Sequence, residues 1–265
     1  MDLNLTGKVA LVSGSTAGIG FEAAKGLAKM GATVILNGRN AERLQQAVSK
    51  IQETVPKADV KGVAADLSKK EGVDCLTSQV PSLDILVNNL GIFNPKQFEE
   101  VTDEEWSRLF ETNVMSGVRL SRHYMPSMLK NNWGRIVFVS SEAALNVERQ
   151  IIHYSMTKTA QLTVARGLAH LTKGTGVTVN SVLPGPTNSE GVGVYMKTLA
   201  EQQGIEPGQI EEQFFKNEMP WSTHQRFLSV AEVSNAILYL CSPASSATNG
   251  ACMRCDGGAL QQLVP

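Results

Sequence analysis

Short runs of consecutive apolar residues alternate with amphipathic stretches along the 265-residue chain. The apolar runs, rich in β-branched residues, fall at Val9–Ser13, Thr33–Leu36, Val60–Ala64, Ile85–Asn88, Ile136–Ser140, Val177–Val182 and Ala251–Cys255. Between them apolar positions recur at helical spacing over Phe21–Met30, Ala41–Thr54, Asp103–Leu129, Ser155–Lys173 and Ala231–Cys241. Strands this apolar need cover on both faces, which a parallel sheet flanked by helices supplies. The pattern therefore predicts an α/β fold, a doubly wound parallel sheet of about seven strands with helices on both faces. With no internal repeat and no low-complexity linker, it predicts one domain over residues 1–265.

One segment breaks this rhythm. From Gly185 to Phe227 the chain is long, rich in Gly and Gln, and amphipathic in its middle, with Ile210, Phe214 and Phe215 at helical spacing. It follows the C-terminal end of a strand, the edge where open α/β sheets bind ligands. Insertions of this length in a compact fold usually serve as lids or binding loops, so a substrate lid is expected over about residues 186–227.

Apolar residues make up 42% of the chain, enough for a well-packed core. The 24 basic and 25 acidic residues nearly cancel, and no run of like charge stands out. Nothing here suits a nucleic acid or an anionic membrane as partner. The N-terminal run MDLNLTGKVALVSG has neither the basic region nor the apolar stretch of a signal peptide, and no stretch approaches the ~20 apolar residues that span a bilayer. A cytoplasmic protein is expected. Of Cys75, Cys241, Cys252 and Cys255, the last two form a lone C-x-x-C on a strand-like run, where thiols three residues apart face opposite sides. No second pair and no paired His completes a zinc set, so the pair is expected to be buried, reduced and structural, with no metal site.

The candidate chemistry sits at the ends of the strands. After the first strand comes Gly14-Ser15-Thr16-Ala17-Gly18-Ile19-Gly20, opening directly into a helix. Glycines here permit positive φ and close backbone approach, and the helix N-terminus offers free N–H groups to a pyrophosphate. After the second strand the run ILNGRN places Gly38 and Arg39 where a carboxylate would select a free ribose hydroxyl. A guanidinium binds a 2′-phosphate instead, so NADP(H) is favoured over NAD(H); a ribose contact through Asn37, with Arg39 solvated, is the rival reading. Further on, Tyr154 and Lys158 stand one helical turn apart, with Ser141 thirteen residues before the tyrosine. An ammonium near a phenol favours the phenolate and brings an acid/base group toward neutral pH.

Together these residues resemble the short-chain dehydrogenase/reductase family over nearly the whole chain. The resemblance rests on Gly14/Gly18/Gly20, Asn88-Asn89-Leu90-Gly91, Asn113 in TNV, Ser141, Tyr154-x-x-x-Lys158 and Pro184-Gly185, in the family's order and spacing. It implies a Rossmann sheet and a catalytic set of Asn113, Ser141, Tyr154 and Lys158. Tyr154 would exchange a proton with the substrate oxygen, and Ser141 would orient that oxygen. Lys158 would hold the nicotinamide ribose, and Asn113 a water leading to solvent. It further implies that Asp66 and its neighbour Leu67 meet the adenine, and that Asn88 and Gly91 line the adenosine ribose. Thr187 and Ser189, beyond Pro184-Gly185, would reach the carboxamide; Ser15, Thr16 and Ile19 belong to the pyrophosphate loop.

Three departures from the pattern stand out: Leu90 in place of the usual Ala, Ser189 in place of the commoner Thr, and SSEAALN without a Gly after the catalytic serine. The last raises the prospect that Glu142 enters the pocket. Ser140 competes with Ser141, but the spacing to Tyr154 favours Ser141. His153, Arg149 and Gln150 are weaker candidates for substrate contact, while Trp106, Trp133 and Trp221 read as packing residues, Trp221 within the lid.

The expected activity is hydride exchange between a ketone and a secondary alcohol, in the branch around 3-oxoacyl-carrier-protein reductases. The alternative is oxidation of a sugar, polyol or hydroxysteroid. An idle NADP-binding sensor or scaffold would have no need of Asn113, Ser141, Tyr154 and Lys158. The resemblance also implies a homo-oligomer, a tetramer, in keeping with apolar positions on more than one side of Trp106–Leu129.

Overall fold

The protein is described here by a computed structural model covering residues 2–263. Strands and helices alternate through the first two-thirds of the chain. They run β1 (Val9–Val12), α1 (Gly18–Lys29), β2 (Thr33–Gly38), α2 (Ala41–Thr54), β3 (Val60–Ala64), α3 (Lys70–Gln79) and β4 (Ile85–Asn88), then α4 (Asp103–Phe110), α5 (Ser116–Lys130), β5 (Gly134–Val139), α6 (Ile152–Leu171) and β6 (Val177–Pro184). A short pair, β7 (Thr187–Asn188) and β8 (Leu228–Ser229), brackets α7 (Glu190–Gln203) and α8 (Pro207–Asn217). Helix α9 (Val230–Cys241) and strand β9 (Cys252–Cys255) follow. The main sheet has seven parallel strands in the order β3-β2-β1-β4-β5-β6-β9. The order reverses between β1 and β4, and that switch point opens a crevice beyond the strands' C-terminal ends.

The apolar strand runs explain this sheet residue by residue. In β1, Ala10 and Val12 pack on one side with Ala23, Leu27 and Ile237, while Leu11 packs on the other with Leu86, Leu120 and Phe138. In β4, Ile85 and Val87 share the first core, and Leu86 the second. Successive side chains point to opposite faces, so a run without polar breaks feeds two cores at once. A third, smaller cluster of Phe215, Met219 and Ala259, joined by Phe214 and Phe227, forms beneath α8. Ile210 and Phe215 are buried, as their spacing in the sequence predicts.

Two expectations about local structure are corrected. The helix expected over Asp103–Leu129 is broken by a π-helical turn at Glu111–Met115, between α4 and α5. One added residue per turn carries no hydropathy signal, so the periodicity conceals it. Of the cysteines, only Cys241 is buried; Cys75 is exposed, and Cys252 and Cys255 are half-buried free thiols. Strand β9 lies at the edge of the sheet, so its side chains have no neighbouring strand to cover them. Among the described residues no helix is long and apolar enough to cross a membrane.

Candidate active site

The Gly14–Gly20 turn leaves β1 and enters α1 at the switch point. Gly14 and Gly18 both adopt φ of +60°, a conformation that side chains rarely take. A Cβ at Gly20 would stand 2.7 Å from the Gly14 carbonyl, so the turn is too tight for any other residue there. Asn89 closes the turn from β4, its amide donating to the carbonyls of Ser13 and Gly14, each at 3.0 Å. Ala17, at the N-cap of α1, provides no side-chain cap, which leaves the first N–H groups of the helix open to the crevice. A backbone cradle with free donors and no side chains in the way fits a pyrophosphate, so the residues present suit a dinucleotide.

Around this cradle the sequence-expected cofactor residues divide. Gly18, Ile19, Gly20, Gly91, Pro184, Gly185, Thr187 and Ser189 all line one cavity of about 700 Å³, joined there by Ala17 and Asn89, to which the sequence assigned no cofactor contact. Others are used within the fold. Ser15 is buried, and its hydroxyl donates to Val12 O (2.7 Å) and accepts from Asn37 N (3.0 Å), so its side chain serves the fold and only its backbone belongs to the loop. Asn88 points into the core, donating to Ser121 Oγ at 3.2 Å, while Asn89 takes the position on the cleft. Leu67 belongs to the second apolar core, leaving only its backbone to meet a ligand. Asn37 donates to Val63 O and Ala65 O, each at 3.1 Å, so it ties β2 to β3 instead of reaching a ribose. Arg39 is exposed beyond β2, close enough to Asp66 for its charge to help hold that carboxyl below its usual range, though the hydrogen bond from Ser68 does more. A Cβ on Gly38 would lie 2.5 Å from Thr16 Cγ2, so any other residue there would displace the Thr16 side chain.

The catalytic candidates converge at the end of β5. Ser140 and Ser141 are both buried, yet they do different things. Ser140 Oγ donates to the backbone carbonyl of Lys158 at 2.9 Å, fastening β5 to α6. Ser141 Oγ faces the cavity, accepts from Ala143 N at 3.1 Å and donates to Glu142 Oε2 at 2.6 Å. Tyr154 leaves the first turn of α6, its ring edge-on to Phe93 at 5.1 Å. Lys158 follows one turn later, with Nζ 5.4 Å from the Tyr154 ring centroid. A Cβ on Gly91 would lie 3.4 Å from that Nζ, so the glycine leaves the ammonium room at the crevice.

Lys158 Nζ donates to Val139 O at 2.9 Å and to Gln161 Oε1 at 3.3 Å. Burial pushes it down to about 8, against the pull of Glu142. The phenol of Tyr154 moves the opposite way to the sequence expectation. Burial raises its pKa, the Glu142 charge adds to the rise, and the hydrogen bond with Ser141 only partly opposes them. A phenol held protonated is suited to give its proton to a carbonyl oxygen. Glu142 is itself pushed up to about 7, chiefly by burial, with Ser141 opposing and the Glu148 charge adding.

Asn113, on the π-helical turn, clamps the backbone of Ile92: its Nδ2 donates to Ile92 O at 3.0 Å and its Oδ1 accepts from Ile92 N at 2.8 Å. The same Nδ2 donates to Thr157 Oγ1 at 3.0 Å. The backbone carbonyl of Asn113 accepts from Gln161 Nε2. Gln161 thus joins Asn113 to Lys158, a role that went unassigned in the sequence. The only signal for it was a polar residue three positions after Lys158 on the buried face of α6. Three weaker candidates lie away from the cavity. His153 is buried against Trp106 and paired with Asn94 O at 3.0 Å, and Arg149 and Gln150 are exposed outside the cavity. Glu142, by contrast, lies within it.

A short-chain dehydrogenase model matches residues 8–199, and the chain belongs to the short-chain dehydrogenase/reductase family. It is an NAD(P)-dependent oxidoreductase. It is 44% identical to the uncharacterised oxidoreductase YvaG of Bacillus subtilis strain 168, over 99% of this chain and 100% of that one. It is 32% identical to the 3-oxoacyl-[acyl-carrier-protein] reductase of Aquifex aeolicus, over 97% of this chain and 99% of that one. Among solved structures, L-sorbose reductase from Gluconobacter frateurii, complexed with NADPH and L-sorbose, superposes with a TM-score of 0.94. That match has 31% identity over 99% of this chain and 100% of that one.

Proposed function

We propose that this protein uses NADP(H) to interconvert a ketone and a secondary alcohol, with Tyr154 as the acid/base. The observation that carries the reading is one shared wall: Ser141, Tyr154 and Lys158 line the same cavity as the glycine cradle. The dinucleotide, once bound, supplies the hydride; the chain's own residues hold the partners and move the proton. Ser141 orients the substrate oxygen, Tyr154 gives it a proton on reduction, and Lys158 holds the ribose beside them. The backbone of Gly18–Gly20 holds the pyrophosphate, and Arg39 pairs with the 2′-phosphate. The NADPH in the L-sorbose reductase complex supports that cofactor choice.

Two substrate readings stand beside each other: a 3-oxoacyl thioester, after the Aquifex relative, and a sugar, polyol or hydroxysteroid, after the L-sorbose reductase likeness and the 7alpha-hydroxysteroid dehydrogenase of Escherichia coli, 30% identical over 99% of this chain. The segment from Thr187 to Phe227 acts as a lid on either substrate, since Met196, Phe214, Met219 and Phe227 form the far wall of the cavity. A cytoplasmic homotetramer completes the proposal, supported by the exposed Phe98 and Phe110 beside α4. The test is NADPH oxidation by the purified protein with a panel of ketones, beside fluorescence titration of NADPH and NADH. Tight NADPH binding without turnover of any ketone defeats the enzymatic reading, and tighter NADH binding defeats the role of Arg39.

A further inference from the structure

We propose that this site selects substrates bearing a hydroxyl on the carbon next to the reacting one, α-hydroxy ketones and their vicinal diols, and that Glu142 reads that hydroxyl. The inference rests on the carbonyl–alcohol reading above and narrows its substrate.

Glu142 follows Ser141 directly and turns its carboxyl into the cavity, where it is 9% exposed. Its Oε2 receives the Ser141 hydroxyl at 2.6 Å. No salt bridge neutralises it among the described residues. The titratable groups around it are Tyr154, a neutral phenol, and Lys158 from α6 and Glu148 from the loop before α6; Glu148 in turn feels Glu218 of the lid. Lys158, the one cation there, is already committed to Val139 O and Gln161.

This arrangement conflicts with simple carbonyl binding. To orient a substrate oxygen, Ser141 must turn its proton from Glu142 to that oxygen. A carboxylate oxygen inside the cavity then loses its donor, an uncompensated desolvation. A hydroxyl on the neighbouring carbon stands beside the reacting oxygen and donates to the acceptor that Ser141 vacates. A plain ketone has only C–H groups there. So does a 3-oxoacyl thioester, whose reacting carbonyl lies between two methylenes. Either leaves Glu142 unpaired, and a site built to bond a substrate hydroxyl discriminates strongly against an analogue without one. Glu148, also on the cavity wall, adds an acceptor toward the lid for a second hydroxyl.

The experiment compares kcat/KM with NADPH for acetoin, butanone and an acetoacetyl thioester, in wild type, Glu142→Leu and Glu142→Gln. Acetoin should exceed butanone by at least about a hundredfold in wild type. Glu142→Leu should bring the ratio below about tenfold, and Glu142→Gln, which keeps an acceptor oxygen, should retain part of it. Fluorescence titration of NADPH reports whether each variant is folded. If Glu142→Leu fails to bind NADPH, the wild-type ratio decides alone. Butanone or the thioester turning over as well as acetoin in wild type overturns this inference and leaves the carbonyl reading standing. A wild type that binds NADPH and reduces none of the three overturns both.

Discussion

At the nucleotide end of the cleft, the Gly14–Gly20 turn, Asn89 and the open N-terminus of α1 present backbone to the ligand, and the side chains of Ser15 and Asn37 are turned inward as fasteners. At the substrate end, Ser141, Glu142, Tyr154 and Lys158 present side chains, held by bonds from the end of β5, from α6 and from the π-helical turn. The difference follows from what each end recognises. A pyrophosphate is the same in every dinucleotide enzyme, and backbone amides at a helix end bind it regardless of side chain. Proton transfer at one oxygen needs particular groups at particular separations, so this end carries buried charge that the fold must tolerate.

The sharpest break in this comparison is Tyr154→Phe. It should lower kcat about a thousandfold while leaving NADPH affinity in fluorescence titration within twofold or so, since general acid–base groups contribute on this scale. Equal loss of NADPH affinity would mean the two ends are not separable. Next is the strain that Glu142 stores. Its folded pKa of about 7 lies above the ordinary 4.5, so the folded state binds more protons between those values, and stability falls as pH rises from about 4.5 to about 7. Glu142→Gln should therefore stabilise the cofactor-free protein by about 3 kcal/mol at pH 8 and by almost nothing at pH 4, read by urea unfolding. Arg39→Glu should weaken NADPH binding by about ten- to a hundredfold and leave NADH binding nearly unchanged, because it replaces a charge-assisted phosphate contact with repulsion. Smallest is Ser140→Ala, which should cost about 1 kcal/mol of stability and little of kcat, whereas Ser141→Ala should cost kcat about a hundredfold.

That pair of adjacent serines shows how far the sequence reads. Spacing to Tyr154 favoured Ser141, and the structure separates the two serines by their bonds: Ser140 Oγ donates to the α6 backbone, whereas Ser141 Oγ donates to Glu142. The seven strands were legible for a similar reason, since an apolar run feeding two cores leaves no polar position to blur it. The π-helical turn at Asn113 and the bridge through Gln161 were not legible. Both depend on backbone geometry and on contacts between residues 48 positions apart, and hydropathy carries neither. The direction of the Tyr154 shift was misread because Lys158, one helical turn away, is visible in the sequence, whereas burial and the Glu142 charge are properties of the assembled site.

By itself the sequence determined the layered α/β fold, the phosphate cradle and the residue types that handle the proton. Each of these is written in local spacing: a period of two or 3.6, glycines in one turn, a tyrosine and a lysine one helical turn apart. Only the tertiary structure decided that Ser140 fastens β5 to α6, that Gln161 donates to the Asn113 carbonyl, and that Glu142 lies buried beside the Ser141 hydroxyl. Those outcomes turn on desolvation and on hydrogen bonds between distant segments, and both arise only when the strands and helices have packed.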